Sequence, residues 1–200
     1  MTRRISVFIA LAALAAAFAV PAASAQTSYS GQATALNVSV FGNGIVLGDT
    51  GPLASTGGSQ TASLATINLL GLLSASLLNG STNASGSQST SRASLVDLTV
   101  GLVGLKVSAV DSQTTATCNG TTPSVSGSSQ LVDVNFNGQS LGTIDTPNVK
   151  LSLLGITIAL NEQTSSTSGS TGSITVNAIH ITGPAIDIVV ASSHSDITCG

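Results

Sequence analysis

From Gln26 onward, apolar residues recur at nearly every second position. "TALNVSV" (34–40) places Leu36, Val38 and Val40 on one face, and "QLVDVNF" (130–136) does the same with Val132, Val134 and Phe136. "SITVNAIHI" (173–181) alternates through Ile174, Val176 and Ala178, after which Ile179 and Ile181 shift the phase. A period of two, rich in Val, Ile and Thr, predicts strands with one face buried. Clusters of Gly, Asn and Ser separate the runs, as in "GNG" (42–44), "NGTTPSVSGSS" (119–129) and "SSTSGSTGS" (165–173), and these predict turns. The run "ASLATINLLGLLSASLL" (62–78) has the length of a helix. Gly71 interrupts it, and Thr66, Ile67 and its serines suit an extended chain, so it is read as strand.

Two segments end alike. "LVDLTVGLVGLKVSAVDSQTTATC" (95–118) aligns without a gap on "VNAIHITGPAIDIVVASSHSDITC" (176–199). Leu98 falls on Ile179, Val100 on Ile181, Leu105 on Ile186, and Thr117-Cys118 on Thr198-Cys199. Each segment reads as strand, turn, strand, which is a β-hairpin. The strands at 34–44 and 130–139 also share a pattern of Val, Phe, Asn and Gly. The expected organisation is one all-β domain over 26–200. It is an antiparallel sandwich built from two tandem, internally similar halves, about 29–118 and 129–199. A β-solenoid is the alternative, since short strands with Gly-, Asn- and Ser-rich turns also suit stacked coils.

The first residues read differently. Arg3 and Arg4 precede an apolar run at 5–20, Pro21 breaks it, and "ASA" (23–25) offers small residues for cleavage between Ala25 and Gln26. The apolar run is short of the ~20 residues that span a bilayer. Ser6 stands where a twin-arginine signal wants a bulky apolar residue, so a general secretion signal over 1–25 is expected. Export changes the reading of Cys118 and Cys199. An even pair of cysteines outside the cytosol predicts a disulfide, here between equivalent positions of the two halves. Bonded cysteines have Cα atoms only ~5.5 Å apart, so either a pseudo-twofold axis passes near the bond or the terminal strands lie side by side.

Beyond the leader, the cations are Arg92, Lys106 and Lys150, and the aromatics are Tyr29, Phe41 and Phe136. So few cations make nucleic acid a poor partner, and so few rings make a stacking platform hard to build. Candidate chemistry reduces to Glu162, His180 and His194 with nearby aspartates. "HSD" (194–196) is not a triad, because triad members are brought together by the fold, and no G-x-S-x-G elbow is present. A lone Glu162 does not supply the paired carboxylates of glycoside hydrolysis. No catalytic, metal-binding or cofactor-binding residue is therefore assigned, and no cofactor is expected. A hydrolase using Glu162 or His194 would require those side chains to converge in one cleft. A self-assembling surface fibre is a further alternative, given low charge and high strand propensity.

"LNEQ" (160–163), "SITVNAIHI" (173–181) and "DIVVASSHSDITC" (187–199), with the opening "SGQATALNVSV" (30–40), resemble the bacterial choice-of-anchor P family. That resemblance implies a secreted or surface-displayed domain of unassigned activity, and it supplies no catalytic residues. Members carry varied C-terminal sorting tails. This sequence ends at Gly200 without a Leu-Pro-x-Thr-Gly motif or a terminal apolar helix, so release or non-covalent association with the envelope is expected. The expected partner is a cell-envelope or extracellular component, with no membrane span in the mature chain. The expected role is structural or adhesive, not enzymatic.

Overall fold

Alternating Val, Ile, Leu and Ala on one side and Ser, Thr and Asn on the other leave each strand with one face to bury. Two sheets placed face to face satisfy that requirement. We describe residues 26–200, from a computed structural model. The expected leader and its Ala25–Gln26 cleavage point involve residues 1–25, which lie outside the described residues. Twelve strands follow: β1 (Ser28–Val40), β2 (Asn43–Asp49), β3 (Gly58–Leu69), β4 (Leu73–Ser85), β5 (Gln88–Val100), β6 (Leu105–Asn119), β7 (Thr122–Phe136), β8 (Gln139–Ile144), β9 (Val149–Leu153), β10 (Ile156–Ser168), β11 (Thr171–Gly183) and β12 (Ile186–Thr198). A 3₁₀ turn, Gly101–Val103, joins β5 to β6.

The strands form two open, six-stranded antiparallel sheets, in the orders β2-β1-β12-β11-β10-β9 and β3-β4-β5-β6-β7-β8. The all-β sandwich expected from the alternation is the observed fold; there are no stacked coils. Written from its β9 edge, the first sheet runs β9-β10-β11-β12-β1-β2, the order of the second sheet displaced by six strands. The chain crosses between sheets only from β2 to β3 and from β8 to β9. Thus β1–β6 and β7–β12 each place two strands in one sheet and four in the other.

Both hairpins expected from the Thr-Cys alignment occur, as β5–β6 and β11–β12. The run 62–78 differs from its reading as one strand. It splits into β3 and β4 around Leu70, Gly71 and Leu72, with Leu69 paired to Leu73. Leu70 and Gly71 have φ of 49° and 75°. Consecutive left-handed residues reverse a chain tightly, and glycine at the second position makes this accessible.

The alternation changes phase at mid-strand residues of positive φ. Leu77, Asp97, Asp133, Asn161 and Ala191 have positive φ inside strands, and the pairing steps over them: Glu162 pairs with Asn177 and Leu160 with Ile179. At these levels two successive residues of one strand turn toward the same face, as Leu160 and Asn161 do, while the β10–β11 register is kept. This accounts for the shift at Ile179 and Ile181, where Ala178 and Ile179 are both buried.

The core is graded along the strands. One half holds the large aliphatic cluster, including Leu36, Leu98, Leu105, Leu131, Leu160 and Ile181. Beyond it the sheets meet through hydroxyls: Thr82, Ser89, Ser91, Ser112, Thr114, Ser193 and Ser195 are buried. Thr114 Oγ1 and Ser195 Oγ lie 2.9 Å apart across the sheets. Small side chains let the sheets approach closely: a Cβ on Gly31 would lie 2.6 Å from Thr82 Oγ1. Ser112, Ser129 and Ser193 have no protein partner for their hydroxyls, so this half is costlier to bury. A small cluster of Ala116, Ile197 and Cys199, with Tyr29, Cys118 and Val125, closes the end.

The Cys118–Cys199 disulfide is there, with Cα atoms 5.5 Å apart. β6 lies in the second sheet and β12 in the first, so the bond pins the sheets together at their hydroxyl-rich end. Of the two arrangements the cysteine positions allowed, the strands are not side by side in one sheet. The backbone repeats the relation: Cys118 N–H donates to the Ser87 carbonyl and Cys199 N–H to that of Ser170, each at 2.8 Å.

Candidate functional site

The titratable residues singled out by sequence lie on the outer face of the first sheet. Glu162 comes from β10, His180 from β11 and Asp187 from β12, all pointing away from the core. The pairing steps over Asn161, which has positive φ, and Ala178 opposite it, and this brings Glu162 and His180 onto one face although they are not direct cross-strand partners. His180 Nδ1 is 2.8 Å from Glu162 Oε2, and its Nε2 is 3.4 Å from Asp187 Oδ1. Asn177 Nδ2 donates to the same Glu162 oxygen at 2.9 Å, and Ser192 Oγ donates to Asn177 Oδ1 at 2.8 Å. Partial burial pushes the Glu162 carboxyl up. The Asn177 and His180 hydrogen bonds, with the charges of His180 and Lys150, outweigh that and hold it below its usual value.

His194 occupies a second cluster nearer the disulfide. Its Nδ1 is 2.8 Å from Thr175 Oγ1, and its Nε2 is 3.0 Å from Asp196 Oδ2. Burial raises the Asp196 carboxyl, but His194 and the Ser173 hydroxyl bring it below its ordinary value. Glu162 and His194 therefore share a face without sharing a cluster. Each imidazole has both nitrogens engaged by sheet neighbours. Thr175 Oγ1, the His194 ring and Asp196 stand in the order hydroxyl, imidazole, carboxylate, with the two ring nitrogens exchanged relative to a Ser-His-Asp triad. Among the described residues, no three or more His, Cys, Asp or Glu side chains converge as metal ligands.

The sequence reading missed a second feature. Strands paired antiparallel put alternate turns at opposite ends of the sandwich. The disulfide end carries hairpin turns Gly86-Ser87, Gly120-Thr121 and Gly169-Ser170, with φ near 60° at each glycine. The opposite end carries Phe41-Gly42, Leu70-Gly71, Asn137-Gly138 and Leu154-Gly155, with positive φ at both residues of every pair. That backbone belongs to the type I′ turn, for which Asn-Gly is the favoured sequence. Only Asn137-Gly138 follows the preference. A non-glycine side chain other than Asn or Asp in this region costs about 1–2 kcal/mol, so Phe41, Leu70 and Leu154 are strained choices.

Those strained residues are also bare. Leu70 is 97% exposed, Leu154 95% and Phe41 81%. Leu72 and Leu102 are about half exposed at 48% and 46%. Pro184 and Ala185 complete the end in the β11–β12 turn, and none of its six turns contains a charged residue. Between them opens an apolar cleft of ≈ 440 Å³, lined by Phe41, Ile45, Leu70, Leu72, Leu102 and Ile186 among others. A signal was present in the sequence: "FG", "LLGLL", "GLVGL" and "LLG" put large apolar residues at turn positions where polar ones are the rule.

Among the described residues no helix is long and apolar enough to cross a membrane. No family model matches the chain, and neither a curated protein nor a solved structure matches it.

Proposed function

We propose that the protein is a secreted or cell-surface, non-enzymatic structural or adhesive protein, working by contact with an extracellular or envelope component. The observation that carries this reading is that the candidate residues do not converge: Glu162 and His194 lie in separate clusters on an outer strand face. His180 and His194 have both ring nitrogens engaged by carboxylates and hydroxyls along a strand face. A hydrolase using Glu162 or His194 would need those side chains in one cleft, within hydrogen-bond reach of its substrate. A face of paired Ser, Thr, Asn, His and carboxylate groups is instead suited to binding. The 1–25 leader and the disulfide support export. Membership of the choice-of-anchor P family and descent of β1–β6 and β7–β12 from one duplicated unit belong to the same proposal. The displaced strand order and the repeated cysteine hydrogen bonds support the duplication.

A screen of the purified protein against glycosidase, esterase and protease substrates tests the reading. No turnover is expected. Turnover abolished by His194→Ala or Glu162→Gln would establish the hydrolase instead. One observation favours a fibre as a second reading: β3 is a twelve-residue edge strand with neither charge nor proline, and such edges template strand addition. Concentration-dependent fibrils with the disulfide intact would support it, and a stable monomer at high concentration would remove it.

A further inference from the structure

We propose that the six-turn end of the sandwich is a lipid-contacting surface, inserted shallowly into a neutral membrane leaflet. The inference rests on the reading of the protein as an extracellular contact protein and gives that contact a place and a chemistry.

The two ends use hairpin turns of similar length for opposite surfaces. At the disulfide end glycine takes the left-handed position and Ser or Thr faces water. At the other end Phe41, Leu70 and Leu154 take that position, strained and almost fully exposed. Chain reversal does not require them, because Asn137-Gly138 makes the same turn beside them without an apolar side chain. Strain kept together with apolar exposure points to a use outside the fold.

Lipid fits the shape better than protein does. The side chains project as separate tips, with exposures of 81–97%. A rigid partner would need a matching hole for each tip, whereas acyl chains close around isolated tips. The depth agrees as well. The nearest charged residues are Lys106 and Asp187, each two residues from its turn, and Asp97, Asp133 and Lys150, each four residues from its turn. At ~3.3 Å per residue these charges lie roughly 7–13 Å behind the tips. That matches the ~5–10 Å reached by interfacial anchors and falls well short of a span. The collar has both signs, so attraction to anionic headgroups is not its basis. The apolar cleft opens at the same end and offers room for the end of an acyl chain.

The test separates binding from folding. Replacing Phe41, Leu70 and Leu154 by Asn creates three more Asn-Gly turns, so Phe41→Asn/Leu70→Asn/Leu154→Asn should melt no lower than the parent. Purified disulfide-bonded protein is floated with phosphatidylcholine vesicles at low and high salt. The parent is expected to float equally at both. A buried Leu or Phe tip is worth on the order of tenfold in partitioning, so the triple variant should bind at least a hundredfold more weakly. A parent that does not float, or a folded triple variant that floats equally well, overturns the proposal. A parent that dimerises through these tips and ignores vesicles overturns it in favour of a second copy as occupant. Failure to float without any hydrolase turnover removes the lipid contact and leaves the contact-protein reading standing. Turnover removes that reading whatever the vesicles show.

Discussion

Removing the disulfide tests how the two sheets are held. The Cys118→Ala/Cys199→Ala variant opens a loop of 81 residues. In the chain-entropy account, closing a loop of that size stabilises the fold by about 4.5 kcal/mol. The site makes most of that effect observable. The bond joins opposite sheets where their contact consists of buried hydroxyls and glycines, with only a small apolar cluster behind it. Few large side chains there can hold the sheets together without it. For a domain of this length 1 kcal/mol moves Tm by about 2–4 °C, so a fall of roughly 10–15 °C is expected. Melting followed by far-ultraviolet circular dichroism, for the parent with and without reductant and for the variant, measures it. Reductant should lower the parent to the variant's Tm and leave the variant unchanged. A variant within about 3 °C of the parent would refute the view that this end depends on its covalent tie.

Three further outcomes follow from the packing and the polar face. Gly31→Ala brings a Cβ within 2.6 Å of Thr82 Oγ1 and should cost about 1–3 kcal/mol in denaturant melts; Thr82→Ala in the same chain should recover part of it, and strict additivity would contradict the close approach. Leu105→Ala empties a fully buried site in the aliphatic half and should cost about 2–5 kcal/mol by the same assay. Glu162 has a folded pKa below its unfolded value, so its stabilisation is complete above the unfolded value of ~4.3 and disappears as pH falls through the folded one. Glu162→Gln should therefore lower Tm at neutral pH and flatten its decline in acid, and identical acid limbs for parent and variant would contradict the His180–Asn177 contacts.

The sequence made the sandwich legible wherever alternation was unbroken. Leu36, Val38, Ile174 and Val176 fall on the buried face that their spacing predicts, whereas Val132 does not share a face with Val134, because Asp133 breaks the alternation between them and Leu131 is buried instead. The disulfide was legible because the expected leader, an even count and the paired endings all pointed the same way. The β3–β4 hairpin was hidden because its turn consists of leucines around one glycine, which resembles an interrupted apolar run. The Glu162–His180 pair was hidden because it depends on phase breaks at Asn161 in β10 and at Ala178–Ile179 in β11, and a period-of-two reading cannot count across them. The apolar end was hidden for a related reason. Its turns break the rule that turns are polar, and the residues breaking it merge with the strands on either side.

Hydrogen exchange on the unmodified protein, with and without phosphatidylcholine vesicles, tests most directly where the molecule makes contact. Added protection is predicted at the turns around Phe41, Leu70, Leu102 and Leu154, with Gly86, Gly120 and Gly169 at the opposite end unchanged. Protection spread along β3, confined to the outer face of β10–β12, or absent at every turn would contradict it.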